Sequence, residues 1–272
     1  MSPRRLKFRI VPPIAFALMI VSAPLSVCAQ ISVVGNNVEE KTAGPGDTYI
    51  GTIVVKNLTA ETQPVRIYQT DYSFLADGTS HFDPPGSQGR SNARWITPAT
   101  GSVIIPPSGE MTVAYTVRVP AINTLHGTYW STLMVEGAVN PPHQTAVQQM
   151  AIGTVMRYAI QVATHLNDEA AATVILEKER AFTSPQDSTR SIELEVRNNS
   201  DTGYRPLIWV EVYDASGALR GRVQQQRGLL YPGTSIKQTF VLGKLPPGAY
   251  KAVVFADTGD EAVFAAQYKL AF

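Results

Sequence analysis

Two stretches of the chain carry the same alternation of apolar and polar positions. Gly51-Thr-Ile-Val-Val-Lys-Asn57 is followed by a polar break and Val65-Arg-Ile-Tyr68. Ile192-Glu-Leu-Glu-Val-Arg-Asn198 is followed by a polar break and Leu207-Ile-Trp-Val-Glu-Val-Tyr213. Each is a strand ending in Val-basic-Asn, a loop of turn-forming residues, and a second strand of β-branched and aromatic residues. One supersecondary unit is written twice.

From Gln30 onward the same period of two recurs in short runs punctuated by Pro and Gly, and no segment holds helical spacing. Residues 31–35 and 37–42 predict a first strand kinked near Gly35. Tyr49 to Asn57 and Pro64 to Phe74 predict two more, the latter ending at the Asp77-Gly78 hairpin signal. Ser80 to Asn92 reads as a Pro/Gly/Ser loop that re-enters the sheet at Ala93-Arg94-Trp95-Ile96. Pro106-Pro107-Ser108-Gly109 turns into Met111 to Val119, and Gly127-Thr128-Tyr129 opens a strand to Glu136. Asn140-Pro-Pro-His143 breaks it, and a long strand follows from about Gln148 to Thr164.

Beyond a short linker at 167–171, strands are expected near 172–182, 189–198, 206–213, 217–226, 234–242, 248–257 and 261–271. Tyr231-Pro232-Gly233 matches Pro107-Ser108-Gly109, and Gly248-Ala249-Tyr250 matches Gly127-Thr128-Tyr129. Val55 to Gly127 is 72 residues and Val196 to Gly248 is 52. The difference of 20 residues fits an inserted loop, 75–94, in the first copy. About seven strands per copy predict an all-β fold of two tandem immunoglobulin-like β-sandwich domains, 30–166 and 167–272.

The first 29 residues change the picture of location rather than of fold. Arg4, Arg5, Lys7 and Arg9 precede an apolar run, Ile14 to Val21, too short to span a bilayer. Val27-Cys28-Ala29 fits a cleavage site, so a signal peptide ending before Gln30 is expected. A lipidated reading would use Cys28, but Val27 is bulkier than the residue expected before an acylated cysteine. Pro12, Pro13 and Pro24 argue against a retained anchor. Of the 23 basic residues four fall in this segment, leaving 19 against 22 acidic ones in a mature chain of 243 residues, a net charge near −3. That charge argues against a nucleic-acid partner. The single cysteine lies in the same segment, so packed cores rather than disulfides must hold the mature chain. No further membrane span is expected, and the product reads as exported and soluble.

Chemistry-bearing residues are sparse. His81, His126, His143 and His165 lack metal-ligand spacing, and no nucleophile elbow or phosphate loop is present. No metal, cofactor or enzymatic activity is therefore expected. Asp71, Asp77 and Asp83 are spaced by six, unlike a calcium loop, and turn chemistry explains them better. Asn57-Leu-Thr59 and Asn198-Asn-Ser200 match the glycosylation pattern, yet both fall where a sandwich needs a strand-ending turn. Tyr129 and Tyr250 are placed for tyrosine corners, the alternative being an exposed aromatic platform. Trp95, Trp130 and Trp209 are expected between the sheets, with sugar stacking as the alternative.

The strand before the linker is the most informative functional candidate. Met150, Ile152, Met156, Tyr158, Ile160 and Val162 share one parity, broken by Thr154. An ordinary last strand would pack that face inward. A strand at a sheet edge would instead offer its unpaired backbone to a partner's sheet, with methionines adapting to varied partners.

Trp95-Ile96, Ile105-Pro106-Pro107, Tyr115-Thr-Val-Arg-Val-Pro120 and Gly127-Thr-Tyr-Trp130 together resemble the first domain of the PapD-like superfamily of periplasmic pilus-assembly chaperones. Gly153-Thr-Val-Met-Arg-Tyr158 and Pro247-Gly-Ala-Tyr-Lys251 are similar to the Gram-positive surface proteins that bind WxL-domain partners and peptidoglycan. The chaperone resemblance implies a secreted or surface protein subunit held by strand addition along Met150, Ile152, Met156, Arg157 and Tyr158. It also implies two basic residues in the interdomain cleft for the subunit's terminal carboxylate. Arg157 supplies one, and the first strand, Ile31 to Glu40, has no Arg or Lys. The second resemblance implies a structural or adhesive envelope module, with Arg90 and Arg94 of the inserted loop meeting an anionic polymer such as peptidoglycan.

Overall fold

The computed structural model describes residues 30–137, 155–166, 172–259 and 262–272. The expected signal segment, with Cys28, and the expected linker at 167–171 lie outside the described residues.

Ten strands make the first sandwich: β1 (Ile31–Val34), β2 (Val38–Ala43), β3 (Thr48–Asn57), β4 (Gln63–Phe74), β5 (Ser80–Asp83), β6 (Ile96–Pro98), β7 (Ser102–Ile105), β8 (Glu110–Arg118), β9 (Gly127–Gly137) and β10 (Arg157–Leu166). One sheet has the order β1-β3-β8-β6. The other is β2-β10-β9-β4-β5, with β7 pairing the start of β4. Their facing residues, among them Ile53, Val55, Val113, Val117, Leu133 and Val162, form one buried core.

The second sandwich holds β11 (Val174–Thr183), β12 (Arg190–Asn198), β13 (Leu207–Asp214), β14 (Leu219–Gln226), β15 (Ser235–Gly243), β16 (Ala249–Asp257) and β17 (Val263–Ala271). These form sheets β11-β12-β15 and β14-β13-β16-β17 around a separate core that includes Ile192, Val210, Phe240 and Val254. All seven strands begin and end within two residues of expectation.

The duplication is realised atom by atom at the two asparagines. Asn57 is fully buried, and its amide nitrogen donates to the carbonyls of Glu61 (2.6 Å) and Pro106 (2.9 Å). Its side-chain oxygen accepts from the Thr59 amide (2.9 Å) and hydroxyl (2.8 Å). Asn198, also fully buried, donates to Thr202 (2.8 Å) and Leu230 (2.9 Å) and accepts from the Ser200 amide (2.9 Å) and hydroxyl (2.6 Å). Each asparagine thus ties a strand end, the following turn and the distant Pro-turn together. Both amide nitrogens are committed, which rules out a glycan on either in the folded chain.

The two Pro-turns match in a register one residue away from the sequence expectation. Asn57 N–H donates to Gly109 and Asn198 N–H to Thr234, so Ser108 corresponds to Gly233. These two share the left-handed backbone, with φ of 52° and 75°. Aligning on glycine shifts the match, because the left-handed position is filled by serine in one copy.

Other differences have local causes. Ser80 to Asp83 is strand, not loop, because the long β4 offers it pairing from Asp71 to Phe74. Ala93–Trp95 is a single 3-10 turn before β6 rather than extended. β7 went unseen in the sequence because Ser102–Ile105 is too short to alternate visibly. Tyr250 makes the expected corner bond, donating to the Pro246 carbonyl at 2.8 Å, whereas the Tyr129 ring lies tilted against Trp95 at 4.8 Å. Trp209 lies on the outer face of its sheet, beside the inward Ile208 and Val210. Phe255 stacks on it at 4.9 Å and the Arg222 guanidinium lies over the ring at 5.2 Å. Half-buried between them, it offers no open face to a sugar.

Asn57→Ala and Asn198→Ala should each destabilise the sandwich that carries them by about 2–4 kcal/mol, since each removes a fully buried amide that joins two carbonyls and two donors. Urea unfolding followed by the tryptophans of each sandwich, Trp95 and Trp130 or Trp209, checks this.

Candidate functional site

The site begins with how the first strand divides. Gly35 adopts a left-handed φ of 109°, and the chain crosses there from one sheet to the other. β1 pairs antiparallel with β3, while β2 pairs parallel with β10, from Val38 against Gln161 to Ala43 against Leu166. Residues 157–160 of β10 lie beyond this register and pair only with β9.

Hydrogen-bond parity then says which backbone groups are open. Residues of an antiparallel pair alternately bond their partner or point away from it. The Gly137 amide donates to Met156 at 3.1 Å, so the even residues of β10 bond β9. The Gln161 amide donates to Asn37 at 2.8 Å, so the odd residues point to the other edge. Arg157 and Ala159 therefore direct their N–H and C=O groups toward an edge that no strand among the described residues covers.

The side chains follow the same parity. Ile160 and Val162 are buried in the core, and half-buried Tyr158 packs against it while donating to the Ile31 carbonyl at 2.8 Å. Val155 and Met156, just before β10, are each 37% exposed. Met150 and Ile152 lie outside the described residues.

Arg157 stands opposite Glu136, and its Nε lies 2.7 Å from the carboxylate. Glu136 also accepts from the Tyr68 hydroxyl at 2.7 Å and faces Arg66 at 3.6 Å. The Tyr68 bond, followed by the two arginines, holds the Glu136 carboxyl below its ordinary range. Tyr68 is pushed up in turn, by burial first and then by Glu136. This corrects the placement of Arg157 in a cleft between the sandwiches. It sits about 30 Å along β10 from Leu166, whose partner Gly127 touches the second sandwich.

At that opposite end the two sandwiches meet. Trp130 stacks on Tyr231 at 4.7 Å, within a cluster of Ala163, Leu229, Val38, Tyr72 and Phe74. Tyr231 donates to Gln161 at 2.7 Å, and Ala76 N–H donates to the Ser235 hydroxyl at 3.0 Å. Thr128 N–H donates to the Asp201 carbonyl at 2.8 Å and the Thr128 hydroxyl accepts from Gly203 at 2.7 Å. Gly127 makes this approach feasible: at φ 72° a Cβ there would fall 2.2 Å from the Asp201 oxygen.

The inserted segment feeds this joint. Buried Asp71 anchors it, accepting from the amides of Gly86 (3.0 Å) and Gln88 (2.7 Å) and from the hydroxyls of Ser87 (3.2 Å) and Ser91. That holds Arg90 against Asp201, with its Nη1 donating to the His126 carbonyl at 2.8 Å and its guanidinium over the Tyr129 ring. Arg90 is thus spent within the protein, while Arg94 is exposed and lies against Gly86. Asp77 caps its own turn through Thr79. No group of three His, Cys, Asp or Glu among the described residues is placed to hold a metal ion. No helix among them is long and apolar enough to cross a membrane.

The joint was the part hidden from sequence reasoning. Asp201, Gly203 and Tyr231 carry no local signal of a contact made across 70 or more residues.

No family model and no curated protein sequence matches the chain. Fimbrial chaperones recur among solved structures of similar fold. The class 5 fimbriae chaperone CfaA is 12% identical, with a TM-score of 0.44 over 87% of this chain and 98% of its own. The SafB chaperone in complex with the Salmonella enterica SafA pilin gives 11%, 0.42, 88% and 96%. The CsuC-CsuE complex of Acinetobacter baumannii Csu pili gives 13%, 0.41, 77% and 90%.

Gly127→Ala should cost about 1–3 kcal/mol through the left-handed backbone alone. The added methyl should also push Asp201 away, which a lower urea midpoint and a larger radius of gyration in solution scattering would register.

Proposed function

We propose that this protein is an exported, non-enzymatic, chaperone-like binder that holds a secreted or surface subunit by accepting its strand along the free edge of β10. One observation carries the reading: Arg157 and Ala159 point their backbone donors and acceptors away from β9, beyond the end of β2. An unpaired strand edge is a ready template for another chain, whose strand supplies the missing backbone bonds. Exposed Met156 continues the strand's apolar parity past the point where the core ends, with exposed Val155 beside it on the opposite face. The resemblance carried by Trp95-Ile96 and Gly127-Thr-Tyr-Trp130 points the same way. A periplasmic or envelope location belongs to this proposal. The envelope-module alternative has less to stand on, because Arg90 is committed to Asp201 and leaves Arg94 as the exposed cation of the pair.

Ala159→Pro tests the edge directly. It removes an N–H that bonds nothing in β9, so the fold should survive while partner capture is lost. Met156→Asp and Ile152→Asp should also fold yet fail to co-purify with the subunit. Retained co-purification by all three, at unchanged stability, would overturn the reading.

A further inference from the structure

His126 lies in the loop before β9, at the joint, and its two ring nitrogens face two groups that can only accept. Nδ1 is 3.0 Å from the Thr124 carbonyl oxygen, and Nε2 is 3.1 Å from Oδ2 of Asp201. A carbonyl and a carboxylate both need a donor, and only the doubly protonated imidazolium supplies two. A neutral ring must turn one lone pair toward an oxygen and forfeit that bond.

His165, the other histidine of the joint, is arranged differently. Its Nδ1 lies 2.9 Å from the Thr128 hydroxyl, and its Nε2 lies 3.3 Å from Glu40, which Arg205 also engages. The Thr128 oxygen already accepts from Gly203, so its hydrogen is available to His165. A neutral ring, accepting at Nδ1 and donating at Nε2, fills both positions.

The His126 contacts close a circuit across the joint. Asp201 of the second sandwich is held by the Arg90 guanidinium and the His126 ring, while Arg90 donates to the His126 carbonyl. Arg90 and Asp201 are the charged groups facing His126 among the described residues, one opposing its protonation and one favouring it. We propose that the protonation state of His126 sets how firmly the two sandwiches are held, locking the joint in acid and loosening it in alkali.

The sign follows from the partners. The Thr124 carbonyl, then Asp201, raise the His126 pKa above its ordinary value. A raised folded-state value means that the contribution is complete below about 6.5, the free histidine value, and is lost as pH rises through the raised one. Arg90 keeps its hold on Asp201 throughout, so the joint loosens rather than parts.

The test uses the full chain, with residual dipolar couplings reporting the relative alignment of the sandwiches and side-chain NMR reporting each histidine. Between about pH 5.5 and about pH 8.5 the wild type should pass from one shared alignment tensor to two. His126→Ala should show two at both values, and His165→Gln should keep the wild-type response. The His126 midpoint should fall in Asp201→Asn, each unit of fall equalling a tenfold preference of the closed joint for the protonated ring. A wild-type tensor unchanged with pH, or a His126 midpoint unmoved in Asp201→Asn, overturns the proposal. Neither readout involves the subunit, so the outcome is independent of strand addition at β10.

Discussion

An outermost strand covers the edge of a single neighbour along any part of its length, and the first strand of this chain is divided between the ends of two sheets. Gly35 lets it cross, so β1 serves β3 and β2 serves β10. Had the whole strand stayed beside β10, residues 157–160 would be covered. Because β2 begins only at Val38, no strand among the described residues covers one edge of the upper part of β10. The candidate site is therefore a consequence of topology, and its chemistry is that of the peptide group rather than of any side chain.

The opposite end of β10 is closed as thoroughly as this end is open. Trp130 and Tyr231 bury their faces against each other, Gly127 lets the backbones approach, and the inserted segment brings Arg90 to Asp201. Asp71 makes that insertion an ordered part of the joint by satisfying four donors from the loop. The first sandwich thus carries the candidate edge at one end and the contact with the second sandwich at the other, about 30 Å apart. The subunit-binding reading and the acid-locked joint draw on separate residues.

Much of the framework was legible because sandwich strands obey a strict period and their ends need a narrow set of turn residues. The repeated Val-basic-Asn was the clearest sign, and both asparagines prove to perform the same bonding with different neighbours. Where period or turn chemistry was weak, the expectation slipped: β5 and β7 are four-residue strands, and Ser108 holds a backbone that glycine holds in the other copy. Trp209 shows a different limit. A tryptophan between inward neighbours on β13 must face outward, and its apolar cover comes from Phe255 and Arg222 instead of from the core.

For the candidate site the division is sharper. The amino-acid order by itself determined the strands, the two-sandwich class and the alternating parity of the residues leading into β10, all of which depend on neighbours within a few positions. Tertiary structure decided how much of the β10 edge β2 covers, that Arg157 faces Glu136 rather than the joint, and that His126 and Arg90 meet on Asp201. Those facts concern partners 21 to 123 residues apart, and local patterns of polarity hold no record of which distant strands become neighbours.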